Sequence, residues 1–533
     1  MAVALHKPLS LVATAKYQLQ MLGSLCLVWF VWALTPISWG VTFYAAFRIG
    51  VQGVDWQSIL LPEMPRVTSL PTLWAHLGWN IVRIYMWLSI CEVPFSIYLY
   101  VLTQRAARIR QPPAFKTVEL ETLLINCLEV GLQRIPLGAR TRWIGKARPL
   151  KTISSAFDQH HLSADATASI RLRLMQWFHN ANVGAIRAGN MREWLAWAFL
   201  GRELQDCEDN ADACALLESA LGLIEKRCNW KFPTGYNTDI RSIRLTLDPL
   251  QASHRPLAAY IVCNGFTYGT IAWACFSGGF QLQTHGELRF MVRQADKSAK
   301  EPTLPVVFLH GLGIGIGQYF LFLRQLRHHT GGVVIMLQPN ISGFVLSRHF
   351  LDAPSEDSQV EALRTAMHAN GFGGGATLVS HSNGTMLHGW ILRRAPELVR
   401  RSVLIDPVSF RLFEGALCYN FLHRPARTPI AVLLRYFVAQ ELSVAHAICR
   451  LFIWPSMALW VPEFPSIDKE SVHFLFAQND ILVDVAGSVA YLRDEGVPDE
   501  AITIMPNYQH GQALCLAGEG MRIACKYAHI PFQ

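Results

Sequence analysis

The sequence predicts an α/β fold class in its C-terminal half. An α-helical region precedes it, and apolar helices of membrane-spanning length stand at the N-terminus. Three observations point there. Short apolar runs at Pro305 to Leu309, Ala376 to Val379, Phe474 to Ala477 and Ile502 to Met505 each stop at a polar or glycine-bearing turn, the pattern of buried parallel strands. Helices are legible among them: Ser355 is an N-cap with Glu356 and Asp357 in the first turn, and Met386 to Leu392 continues from a Ser-x-Gly turn. No charged residue stands between Tyr17 and Phe47.

At 533 residues the chain exceeds one ordinary domain. A hydrophobic share of 51%, a charged share of 16% and 16 Trp lean toward membrane contact. The 12 Cys are scattered, with no Cys-x-x-Cys pair and no Cys/His zinc spacing, so neither a disulfide framework nor a metal site is expected. His160-His161 and His328-His329 lack partners at ligand spacing and read as solvated or capping side chains.

Residues 1–111 read as a membrane anchor in the form of a two-helix hairpin. The first apolar core, Leu19 to Leu34, suffices to cross a bilayer, which takes about 20 apolar residues; Thr35-Pro36 kinks or ends it. For a cleaved signal peptide the run is too long, and no small-x-small site follows closely. The second run, Leu73 to Leu102, is interrupted by Arg83 and Glu92, both expensive inside a bilayer. An interfacial helix is its alternative. From Arg105 to Lys151 ten basic residues face three acidic ones. That bias puts the N-terminus and this stretch on the cytosolic side and lets the stretch rest on anionic lipid headgroups. Nucleic acid could use the same charge, but no recognition module accompanies it, and lipid beside a span is the simpler partner.

Residues 112–256 read as helical, with Leu120, Leu123, Leu124, Cys127 and Leu128 at helical spacing. The aromatic stripe from Met191 to Phe199 reads as core; its alternative is the lining of an acyl channel. Residues 257–285 hold no Asp, Glu, Lys or Arg. They read as a membrane-embedded or interfacial helix docking the catalytic domain, with a third span as the rival.

Residues 286–533 carry the chemistry. Glu287 to Val292 alternates and reads as an entry strand. After Pro305 to Leu309 comes His310-Gly311-Leu312-Gly313; its glycine spacing is not that of a phosphate loop, which needs Gly-Lys-Ser/Thr. Val333 to Leu337 and Ser402 to Ile405 are further strands. At Ser380-His381-Ser382-Asn383-Gly384 a strand breaks into a helix through a turn that forces strained backbone on its serine and small residues two positions to either side. Gly384 meets that demand, and Ser380 replaces the usual first glycine. Asp480 and His510 each follow a strand, in the order Ser, Asp, His.

On these motifs the stretch from about Glu287 to Gln533 resembles the α/β-hydrolase superfamily, of the AB hydrolase-1 type. The whole layout looks like membrane-anchored α/β-hydrolases of fungi whose substrate is unassigned. The resemblance implies Ser382 as nucleophile, His510 as general base and then acid, and Asp480 as the carboxylate orienting His510. Asp406, at the end of the strand after the elbow, is the reserve acid. The Leu312 and Asn383 N–H groups are the oxyanion donors, supported by His310, Gly311, Gly313, Ser380 and Gly384. A helical cap is implied at about residues 408–471, and its Phe, Tyr and Trp suggest an apolar substrate. The expected activity is hydrolysis of an ester or thioester of a lipid-like substrate without organic cofactor or metal. An acyltransferase using the same residues and a non-catalytic binding scaffold are the other readings. Unpatterned cysteines favour a cytosol-facing catalytic domain. Of two glycosylation sequons, at Asn340 and Asn383, the second is the elbow itself.

Overall fold

The computed structural model describes residues 11–60, 70–110, 117–130, 162–299 and 303–533. Lys116 and all the basic residues from Arg134 to Lys151 lie outside them, as do His160 and His161.

Two long helices, Leu11–Gly50 and Leu70–Ala107, pack on each other, and both are long and apolar enough to cross a membrane. The first does not end at Pro36, and the second continues through Pro94. Proline removes only one backbone donor, and apolar helices tolerate it where neighbouring groups re-satisfy the backbone. Glu92 is 3% exposed, and its burial is offset by partners. Thr35 Oγ1 donates to it at 2.8 Å, Ser96 Oγ at 3.1 Å and the Leu257 N–H at 2.6 Å. A carboxylate that looked costly within a span therefore caps the positive end of another helix.

That helix, Leu257–Ser277, is shorter than residues 257–285 suggested. It buries Tyr260, Thr267, Ile271 and Ala274 but exposes Val262, Phe266, Tyr268 and Phe276. Three of its polar side chains point into the protein: Tyr260 donates to Glu441 (2.9 Å), Asn264 to the Gly343 carbonyl (3.2 Å) and Thr267 to the Ile314 carbonyl. It is not among the helices apolar enough to cross a membrane. The remainder, Gln281–His285, is the edge strand of the sheet. Alternating Gln, Leu, Gln, Thr and His suits an edge that is half exposed.

The sheet has eight strands: β1 Gln281–His285, β2 Leu288–Arg293, β3 Val306–Leu309, β4 Val333–Leu337, β5 Ala376–His381, β6 Val399–Ile405, β7 Val472–Ala477 and β8 Ile502–Met505. Their order is β1-β2-β4-β3-β5-β6-β7-β8, antiparallel across β1, β2 and β4 and parallel thereafter. β3, β4, β5 and β7 are buried along their whole length, which is why they read as unbroken apolar runs. Strand order reverses around β3, since β4 lies on one side of it and β5 on the other. A crevice opens at the carboxyl ends of such a pair.

Over that crevice lie the short helices between β6 and β7, including Pro429–Leu434, Leu442–Arg450 and Trp454–Met457. Pro429–Ala439 and Leu442–Arg450 together are also apolar, but they bend by 82° at their junction. The helical region contributes Thr117–Glu129, Ala164–Trp177, Ala188–Leu195 and Ala211–Cys228. Its core runs unbroken into that of the cap and of one sheet face. Met191 and Leu195 are wholly buried, and Trp197 packs edge-on against Trp177 at 5.4 Å.

Candidate active site

Ser382 follows β5 with φ 51°, the left-handed conformation a strand-to-helix elbow imposes. The helix Gly384–Arg394 continues from it. A Cβ on Gly384 would sit 2.2 Å from the Leu309 carbonyl oxygen, so only glycine lets the elbow close onto β3. On the other side, Ser380 is tolerated because its hydroxyl has a partner. Ser380 Oγ lies 2.8 Å from His388 Nδ1, and His388 Nε2 lies 2.9 Å from Ser402 Oγ. The departure from glycine is thus built into a fully buried serine–histidine–serine chain.

His510 Nε2 is 2.8 Å from Ser382 Oγ, and His510 Nδ1 is 2.6 Å from Asp480 Oδ2. Asp480 does not directly end its strand: β7 stops at Ala477, and Asp480 sits on the following turn. There the Leu482 and Val483 N–H groups donate to its other oxygen at 2.8 and 3.0 Å. The loop carrying His510 is pinned to the same turn, with the Asn479 N–H on the Tyr508 carbonyl (2.9 Å) and the Asn507 N–H on Gln478 Oε1 (3.1 Å). Burial pushes the His510 imidazole down, but the Asp480 carboxylate, and Asp406 behind it, outweigh that and raise it to about 9.

Asp406 does not take the reserve role on the His510 ring. It is wholly buried with φ 44°, and its oxygens accept from the Ala477 N–H (2.8 Å) and the Gly511 N–H (2.7 Å). Its second neighbour is His381 Nε2 at 3.8 Å. Asp406, Asp480 and His510 offer ligand atoms within 4.8 Å of one another. Those atoms already hold N–H donors or the serine hydroxyl, so the trio is shaped for hydrogen bonding and not for an ion.

The His310–Gly313 loop is braced from both sides. His310 donates from Nδ1 to the Gly311 carbonyl (2.9 Å) and accepts at Nε2 from the Gln338 N–H (3.2 Å). Complete burial lowers it to about 4, so it stays neutral. The Gly311 N–H donates to the Tyr319 hydroxyl (2.9 Å), and Gln318 Nε2 to the Leu312 carbonyl (3.1 Å). Gly313 has φ 140° and would bring a Cβ to 2.3 Å from Gln318. Among the described residues, neither the Leu312 nor the Asn383 N–H has an acceptor, which leaves both available.

Tyr319, His381, Gln318 and His388 escaped the sequence reading. Tyr319 links Gly311 to His381 Nδ1 at 2.7 Å; a histidine between two serines and a tyrosine in a glycine-rich turn carry no signal of such a contact. Above Ser382 a cavity of about 150 Å³ is walled by Leu417, Phe421, Leu434, Val438, Phe452 and Leu482. Of the cap's aromatic residues, Phe421 and Phe452 line it. Phe413 instead stacks on Trp460 at 5.7 Å within the cap, and Phe410 packs on Phe474 of β7. The Asn340 sequon lies on a neighbouring cavity, with Ser342 buried and donating to the Gln338 carbonyl (2.6 Å).

No family model matches the chain, and no curated protein matches it. Among solved structures it is similar to a membrane phospholipase A described as a bacterial virulence factor, at 19% identity over 51% of this chain and 92% of that one, with a TM-score of 0.36. A thermophilic esterase from Thermogutta terrifontis aligns at 13% identity over 47% of this chain and 97% of its own, TM-score 0.34. A carboxylesterase from Bacillus subtilis aligns at 13% over 51% and 98%, TM-score 0.32. The strand order and the left-handed serine turn at its crevice give residues 281–533 the α/β-hydrolase fold.

Proposed function

We propose that this chain is a membrane-associated serine hydrolase that cleaves an ester or thioester of an apolar, lipid-like substrate through an acyl-enzyme. The observation that carries the reading is the hydrogen-bonded line from Ser382 Oγ through His510 to Asp480 at 2.8 and 2.6 Å, opening on an apolar cavity. Ser382 Oγ attacks the carbonyl carbon while its proton passes to His510 Nε2. The bond to the leaving group then breaks, and His510 returns the proton to that leaving atom. Water, deprotonated by His510, next releases the acid and restores the serine. The Leu312 and Asn383 N–H groups hold the oxyanion, each such donor being worth about 10²–10³ in kcat.

The two long helices anchor this unit, and the exposed Val262, Phe266, Tyr268 and Phe276 of Leu257–Ser277 lie in the membrane surface with the active site in the cytosol. A fluorophosphonate probe tests the chemistry: the wild-type chain becomes labelled and Ser382→Ala does not, with equal expression. Labelling that survives in Ser382→Ala moves the nucleophile elsewhere. Protease protection in sealed microsomes tests the orientation, since a C-terminal domain shielded until detergent is added reverses it.

A further inference from the structure

Two cavities meet at the elbow, and Asn383, the residue after Ser382, lines both. The cavity of about 150 Å³ contains Ser382, His510 and Gly511. The second, of about 310 Å³, touches none of Ser382, His510 and Gly511. Asn383, Met386, Ile448 and Phe452 line both, so the partition between them is one layer of side chains.

The wall of the larger chamber is aromatic: Trp197 and Phe199 come from the helical region, Trp390 from the elbow helix and Trp454 from the cap. Each indole N–H is already used, by Thr246 Oγ1 (2.8 Å), the Ser456 carbonyl (2.9 Å) and the Ala198 carbonyl (2.7 Å) respectively. At these rings the wall therefore presents carbon, while Gln338, Asn340 and Gln359 stand elsewhere on it. Its charged members are spent as well: Arg450 on the carbonyls of Ala107 (3.0 Å) and Cys449 (2.6 Å), Arg110 on Asp352 (3.2 Å) and Glu356 on Arg394 (2.7 Å). A hydrocarbon fits this lining and a charged headgroup does not. Trp197 and Phe199 ride on a π-helical turn, Ala196–Leu200, a form that recurs at functional sites.

Direction then assigns the occupant. The leaving oxygen or sulfur must reach His510 Nε2 to be protonated, so the leaving group lies on the His510 side. The larger chamber meets the site from the Asn383 side. We infer that it is the acyl-chain site for a long-chain ester or thioester, and that the helical region sets acyl specificity through Trp197 and Phe199. This rests on the hydrolase reading above.

The test uses the full chain in detergent with p-nitrophenyl acetate, octanoate and palmitate. A second series of alkyl acetates lengthens only the alcohol. Ile448→Trp thickens the partition and lowers the palmitate-to-acetate ratio of kcat/KM by about tenfold or more. Phe199→Ala lengthens the chamber and moves the optimum toward longer acyl chains. Thermal melts establish that each variant is folded, and if Ile448→Trp is not, Phe199→Ala decides alone. An acyl profile that stays put in folded variants, or a shift in the alcohol series instead, overturns the assignment. If the wild type hydrolyses no ester at all, the hydrolase reading itself fails, whereas activity with an unmoved profile removes only the chamber.

Discussion

Two histidine–aspartate pairs lie side by side at the crevice, with the rings of His510 and His381 5.4 Å apart. They are built differently. Both rings border the cavity, but His510 meets Asp480 at 2.6 Å and is 13% exposed at its side chain. His381 meets Asp406 at 3.8 Å, is held from its other nitrogen by Tyr319 and is only 5% exposed. The Tyr319 hydroxyl accepts from the Gly311 N–H, so its own proton goes to His381 Nδ1, and the His381 proton sits on Nε2 facing Asp406. Burial, only partly countered by Asp406, lowers the His381 imidazole, while Asp480 more than overcomes burial at His510. One pair is raised toward the protonated form and is the base of the proposed mechanism. The other is a neutral brace joining the His310–Gly313 loop, through Gly311, to the His510 loop, through Gly511. Distance and charge, not residue type, separate the two roles.

Breaking the first pair has the largest effect. Asp480→Asn keeps the shape but leaves His510 without its charged partner and favours the wrong tautomer; kcat falls by about 10⁴, read by burst-phase and steady-state hydrolysis with the protein still folded. A loss no greater than that of Asp406→Asn would erase the distinction between the pairs.

Asp406→Asn comes next. An amide offers one acceptor where Ala477 and Gly511 present two N–H donors, so the His510 loop shifts, and a misplacement of about 1 Å costs ~10²-fold in kcat/KM. The pH profile sharpens the point. His510 must be neutral to act as base, and its raised value means that kcat/KM climbs as pH rises from the ordinary histidine range toward about 9. Removing the Asp406 charge lowers His510 and moves that limb to lower pH. The same shift has a stability counterpart. A histidine raised on folding contributes stability that is complete below its unfolded value, about 6.5, and is lost as pH rises through about 9. Urea midpoints of wild type and Asp406→Asn across that window measure it.

Tyr319→Phe cuts the brace. The buried Gly311 N–H and His381 Nδ1 lose their common partner, which costs ~1–3 kcal/mol of stability. Because Leu312, the proposed oxyanion donor, follows Gly311, kcat falls while KM stays near wild type. An unchanged kcat in a destabilised variant would make the brace structural alone.

The smallest effect is at a third buried imidazole. His388 has no carboxylate near it, only Ser380 and Ser402, and burial lowers it to about 3. Ser380→Gly restores the usual elbow residue but leaves His388 Nδ1 without a partner. Stability drops by about 1 kcal/mol with kcat within a few-fold of wild type, measured by melting and single-turnover assay.

The sequence by itself determined the strands, the elbow and the order of its polar residues, because each is local. An apolar run makes a buried strand, and a serine between small residues makes a left-handed turn, without reference to distant chain. Gly384 was legible for that reason, and so was the apolar length of the two N-terminal runs. The resemblance ranked Asp480 before Asp406, but both stand just beyond strand ends, and sheet packing is what puts Asp480 on the His510 ring and Asp406 on the Ala477 and Gly511 N–H groups. Tertiary structure also decided the use of Glu92, which reads as an expense within a span until the N-terminus of Leu257–Ser277 arrives from 165 residues away. Gln281–His285 was hidden for a similar reason: an edge strand needs only one buried face, and its pairing partner β2, not its own composition, makes it a strand.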